Sequence, residues 1–206
     1  MFGWMNKSRR AVSRSADVSG AMDGMLITGQ AGFLSGTHVA SNLGWCRVDN
    51  LSVGDKVLTF DNGMRPVIDI QREIFCTDPA EAPRSFWPIF VPIGALDNRV
   101  GLFLMPEQGV LLEAETTRDA LGDPFAVVPA RALQSITGVN TRAPEHPLEV
   151  TILSFDTDEV VYVEGGLRAH CPRPRTLLTD EARAMDDVYN VLPLPEAKKL
   201  VAAASR

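Results

Sequence analysis

Apolar and turn-forming residues alternate along this chain in short steps. Apolar runs at 37–40, 56–60 and 67–70 are separated by turn chemistry at 42–44, 53–55 and 61–63, the punctuation of short antiparallel strands. Asn62-Gly63 predicts a two-residue primed hairpin, because both residues tolerate positive φ. The 51–58 run places a turn between two apolar stretches, so the chain reverses there into a core strand. The pattern continues with a surface loop at 76–84, which carries Asp78-Pro79 and Ala82-Pro83. Residues 86–93 predict a buried strand interrupted by prolines, hence at a sheet edge or with a bulge. Strands follow at 100–104 and 110–112 around a bend at 105–109. Residues 125–133 predict a strand leading into a short helical turn. Residues 148–155 and 159–163 flank Asp156-Thr157-Asp158 and predict a hairpin.

Two helices are expected in the last part. Thr179 can cap the first, with Asp180 and Glu181 at the positive end of its dipole, and Pro193 and Pro195 stop it. The second, about 195–204, would be marginal alone in water. Near the other end, 22–27 predicts a short strand or a docked segment.

Composition supports a turn-rich β protein. In 206 residues, 14 prolines, 16 glycines and 45% hydrophobic content suit one domain with a decorated end. A net charge of −6 argues against a general nucleic-acid binder, and no stretch approaches a membrane span. Cys46, Cys76 and Cys171 are odd in number and without a CxxC pair, so no disulfide framework or zinc knuckle is indicated. A reducing compartment, the cytoplasm, is expected. Lys7, Arg9, Arg10 and Arg14 precede the first acidic residue, Asp17, and no apolar core follows them. The first 31 residues read as a flexible basic leader, with an electrostatic tether as the alternative.

The stretch 32–67 resembles the opening of a Hint domain, the hedgehog/intein autoprocessing module, in its compact bacterial form. Phe33, Gly36-Thr37, Gly44-Trp45, Gly54-Asp55, Leu58-Thr59, Asp61-Asn62-Gly63 and Pro66-Val67 match that pattern in order. Further on, the run from Met105 to Leu112 is similar to the family's Ser-Pro-Gln-His segment. The Val127-Pro129-Ala130-Leu133 spacing and the residues from Phe155 to Gly165 are similar to its later motifs. The resemblance covers roughly 32–166 and implies an all-β, Hint-like fold of short antiparallel strands and hairpins, with a short α-helical C-terminal tail.

The resemblance also implies a chemistry. In the family a leading Cys attacks the carbonyl before it, and a His polarises that peptide and gives a proton to its leaving nitrogen. Here Gly32 stands at the nucleophile position, Gln108 at the His position, and Met105 where the family has Ser or Thr. Glycine has no nucleophile and glutamine no titratable proton near neutral pH. The expected catalytic set is therefore empty. Ser35 and Thr37 are the fallback nucleophiles; they would cut after Leu34 and Gly36, and neither has a visible base.

Other chemistry finds little support. Ala169-His170-Cys171-Pro172 lacks the Asn that precedes an intein's exit residue, and His170 reads as a solvent-facing His beside a thiol. Metal binding with Cys46, Cys76 or His38 is the alternative there, without finger-like spacing. Asp55, Asp61 and Asp69 read as turn formers. No phosphate-cradling loop, GxSxG elbow or HExxH is present. The expectation is a basic segment at 1–31, a Hint-like β domain at 32–166 and a tail at 167–206. The domain would act as a degenerate binding or scaffold module with an unidentified protein partner and no cofactor or metal. An active self-cleaving domain using Ser35 or Thr37 is the alternative.

Overall fold

The computed structural model describes residues 31–114, 122–173, 189 and 191–204. After β1 (Phe33–Leu34), strand β2 (His38–Ser41) turns into β3 (Gly44–Arg47) through Gly44, which takes φ +93. A turn at 52–55 launches β4 (Lys56–Thr59). Its Asp55 N–H donates to the Ser52 carbonyl at 3.0 Å, and Asp55 Oδ2 accepts the Ser52 N–H at 2.8 Å. β4 then pairs with β5 (Gly63–Pro66).

The remaining strands are β6 (Asp69–Cys76), β7 (Ile89–Val91), β8 (Leu102–Leu104), β9 (Gly109–Glu113) and β10 (Phe125–Pro129). They are followed by β11 (Asn140–Thr141), β12 (Leu148–Ser154), β13 (Glu159–Val163) and β14 (Leu167–Cys171). The largest sheet has the order β10-β9-β14-β13-β2-β4-β5, with β3 added on β2. Two three-stranded sheets complete the set, β1-β12-β6 and β11-β7-β8. All ladders between these named strands are antiparallel among the described residues. The inward faces of β2, β4 and β13 supply Val39, Val57, Val161 and Val163 to one core that also takes Phe155 and Leu133. Among the described residues the fold is all-β with one short α-helix near the C-terminus, the fold class that the family resemblance implied.

Several details differ from expectation, each for a physical reason. The Asn62-Gly63 turn is not the primed two-residue form. Only Gly63 has positive φ, +65, and Phe60, Asp61 and Asn62 all lie between the paired Thr59 and Gly63. The Thr59 hydroxyl holds this wider loop, donating to the Gly63 carbonyl at 2.9 Å and accepting the Asn62 N–H at 3.3 Å. β7 is the middle strand of its sheet, not an edge, because Pro88 and Pro92 flank its three residues instead of interrupting them. β12 and β13 form no hairpin. Residues 156–158 carry the chain from one sheet to another, since β12 pairs with β1 and β6 while β13 pairs with β14. The 67–70 run is split: Val67 and Ile68 connect β5 to β6. The 76–84 loop contains a short 3-10 turn, Pro79–Glu81, capped by Asp78 Oδ1 on the Ala80 N–H at 2.9 Å.

The strand β14 (Leu167–Cys171) is not predicted by the sequence pattern. β14 lies between β13 and β9, so the main sheet continues past Gly166. Helix α1 (Leu194–Ala204) matches the second predicted helix. Ala197, Leu200 and Val201 fall on one face at i, i+3 and i+4 and are buried. The helix packs on β10 and the 3-10 turn Ala130–Ser135. Burying Leu200 and Val201 offers roughly 1.5–3 kcal/mol each, which stabilises a helix too short to stand alone. The basic leader, the 22–27 segment and the Thr179-capped helix lie outside the described residues.

Candidate functional site

Gly32 and Gln108, 76 positions apart, meet. Strand β1 is held on β12, with Phe33 opposite Thr151, and this pairing carries Gly32 into the interior. Gln108 ends a turn that begins at Met105, whose carbonyl accepts the Gln108 N–H at 3.0 Å. Both Met105 and Gln108 are buried. Gln108 Oε1 accepts the Gly32 N–H at 3.0 Å. Its Nε2 donates to the His170 carbonyl at 2.8 Å and to the Gly109 carbonyl at 3.0 Å. One neutral side chain thus joins the peptide leading into β1 to the last strand, β14. Met105 brings only an apolar side chain to this corner.

Gly32 itself occupies φ +113, a region that side chains of L residues rarely adopt. A Cβ built there would stand 2.5 Å from Val150 Cγ1 and 3.1 Å from both Ile152 Cγ1 and the Thr151 carbonyl oxygen. The backbone at this position is fitted to hydrogen.

Ser35 and Thr37 lie beyond β1. Ser35 is exposed, its N–H pairs with the Glu149 carbonyl at 2.9 Å, and it lies near Asp49. Thr37 is buried, with its N–H on the Leu34 carbonyl at 3.1 Å. Asp49 is the acidic neighbour that sequence reasoning missed, because it reaches this corner through the short 3-10 turn Val48–Asn50 after β3. Burial pushes its pKa up. The Gly36 N–H at 2.8 Å, Arg47 at 3.0 Å and Ser35 outweigh that and hold it below its ordinary 3.8. Such a carboxylate is a weak base toward a hydroxyl. Its contribution to stability is complete above the ordinary carboxylate value and is lost as pH falls through the lowered folded value. Asp49→Asn is expected to flatten the acid limb of a stability–pH curve below about pH 4. An unchanged limb would contradict the assignment.

The family model described as Hint domain matches residues 31–168, about two thirds of the chain. The chain belongs to the Hint domain family. Solved structures similar to it include the bacterial intein-like domain from Clostridium thermocellum, at 13% identity and TM-score 0.44, covering 68% of this chain and 98% of that one. A splice-inactive variant of the AceL NrdHF class 3 split intein is 14% identical at TM-score 0.43, covering 70% and 99%. The MchDnaB-1 intein, as its N145AA form, is 12% identical at TM-score 0.42, covering 68% and 98%. No curated protein matches the sequence significantly.

Elsewhere in the Hint domain the other candidates are spread apart. His170 is buried, contrary to the solvent-facing expectation, because β14 is interior to the sheet. Its ring stands edge-on to Tyr189 with centroids 5.5 Å apart. Burial, followed by Glu159 and Asp158, pushes the Cys171 thiol far up, so it is no thiolate at neutral pH. Cys46 lies on β3, Cys76 ends β6 with its Sγ 2.9 Å from the Asp78 carbonyl, and His38 Nδ1 pairs with Glu164 Oε1 at 3.1 Å. Among the described residues no group of three His, Cys, Asp or Glu could hold a metal ion. Of the three aspartates, Asp55 closes a turn, Asp69 accepts from Gln71 Nε2 at 3.1 Å, and Asp61 accepts from the Tyr189 hydroxyl. Glu107, beside Gln108, has its pKa raised by burial against the opposing pull of Arg131 at 2.8 Å.

Proposed function

We propose that this Hint domain has lost the autoprocessing chemistry and serves as a binding or scaffold module. The contact between the Gly32 N–H and Gln108 Oε1 carries the reading. It joins the two positions at which the family resemblance puts nucleophile and acid/base, and neither residue supplies either. Glycine offers no attacking atom, and glutamine accepts a hydrogen bond from the peptide without a proton to give. The packing around Gly32 supports the same reading, since it leaves no room for a side chain. In this view Gly32, Met105 and Gln108 are structural residues, and the module extends from Gly32 through β14.

The second reading, self-cleavage from Ser35 or Thr37, draws on the nearness of Asp49 to Ser35 and on the Thr37 N–H at the Leu34 carbonyl. The lowered pKa of Asp49 weighs against it. Intact mass of the 206-residue chain, fresh and after a day with and without a thiol or hydroxylamine, separates the two. No change is expected. A nucleophile-dependent cut within 32–37 or beside His170 would overturn the proposal, whereas breaks at Asp78-Pro79 or Asp123-Pro124 are acid lability and do not count.

A further inference from the structure

Away from Gln108, one face of the main sheet carries a row of aromatic side chains that ends at an arginine. Trp45, 46% exposed, stands on β3 opposite Ala40 and borders a cleft of about 400 Å³ with Leu58, Phe60, Tyr162 and Gly165. Phe60 and Tyr162 rings are 6.3 Å apart between centroids, and Phe60 meets Phe125 edge-on at 5.2 Å. Arg168 sits directly across the β13–β14 ladder from Tyr162. Its guanidinium lies over the Phe60 and Phe125 rings, 5.3 and 5.6 Å from their centroids. It also lines a second pocket, of about 140 Å³, with Asp97 and Leu111.

Arg168, like Arg72, Arg84, Arg99 and Arg142, stands outside the ion pairs of the described residues, and among these it is the one whose guanidinium lies near two aromatic rings. Arg47, Arg65 and Arg131 each face a carboxylate at 3.3 Å or less, and none of the ion pairs among the described residues engages Arg168. A half-buried guanidinium beside two rings keeps its fork of N–H donors for another acceptor. The ring faces fix its position in advance, which lowers the ordering cost of a bidentate partner. Asp97 lines the same pocket without pairing with Arg168, and its charge disfavours a doubly charged anion there. The cleft bordered by Trp45, Phe60 and Tyr162 is apolar, aromatic and open.

We propose that this face binds a peptide bearing a single carboxylate beside a large apolar side chain. The carboxylate pairs with Arg168 and the apolar group lies in the cleft between Trp45, Phe60 and Tyr162. The inference gives the binding-module reading a partner chemistry and rests on it. The two fail separately, because cleavage is read by mass and peptide binding by magnetic resonance.

The test titrates the ¹⁵N-labelled full chain with N-acetyl-L-phenylalanine and, separately, with N-acetyl-L-phenylalaninamide, which has the same ring without the charge. Both are expected to shift the Trp45 indole N–H, and only the acid should shift the Arg168 Nε–H. The acid should bind about fivefold more tightly. Arg168→Gln should abolish that preference while leaving binding of the amide unchanged, and Asp97→Asn should tighten binding of the acid. Equal binding of the two compounds, a preference that survives Arg168→Gln, or no shift at either group up to concentrations on the order of 10 mM would overturn the proposal.

Discussion

Gly32→Cys is expected to destabilise the chain by about 3 kcal/mol and to leave it uncut. Two costs add. The new residue must hold φ +113, or the strand start must rotate away from it. Its Cβ must also displace Val150 Cγ1, which an unmoved Cβ would meet at 2.5 Å, and press on Ile152 and the Thr151 carbonyl at 3.1 Å. Val150 lies on β12 and is buried, so it has little space to yield. Thermal unfolding and intact mass read the two halves of the result. A variant that keeps its stability, or that releases its N-terminal segment in the presence of thiol, would show that Gly32 is an empty seat in an otherwise intact site.

Gln108→Leu is the second large effect, a loss of about 3 kcal/mol. Leucine fills similar space but returns none of the three hydrogen bonds. The Gly32 N–H and the His170 and Gly109 carbonyls then lose their side-chain partner in a water-poor corner. Urea denaturation should show a lower midpoint with an unchanged slope. Gln108→Glu refines the result, because it keeps the acceptor for Gly32 and loses the donor for the carbonyls. Facing two carbonyl oxygens raises the folded pKa of such a carboxyl, so its stability is greatest at low pH and falls as pH rises through that value. A midpoint that stays at the wild-type value in Gln108→Leu would remove Gln108 from its structural role.

The sequence carried the local part of this fold clearly. Turns at Gly44, Gly54 and Gly63 announce themselves because glycine reaches positive φ without strain, and the alternation in β2 and β4 fixes which side chains turn inward. Pairing across distance was hidden. Asp156-Thr157-Asp158 has good turn chemistry, yet the strands beside it join different sheets, and nothing local distinguishes that crossing from a hairpin. β14 was missed for a related reason. Arg168 and His170 break the apolar run of Leu-Arg-Ala-His-Cys, and only the neighbours β13 and β9 make it a strand. For the candidate site, Gly32 and Gln108 came forward through family resemblance and then met in space. Asp49 and the Arg168 face gave no such signal, since each is assembled from separate strands.

The bridge made by Gln108 also ties the first strand of the domain to one that lies far along the chain. Because the Gly32 N–H and the His170 carbonyl are both held by one side chain, β1 and β14 cannot loosen independently at this corner.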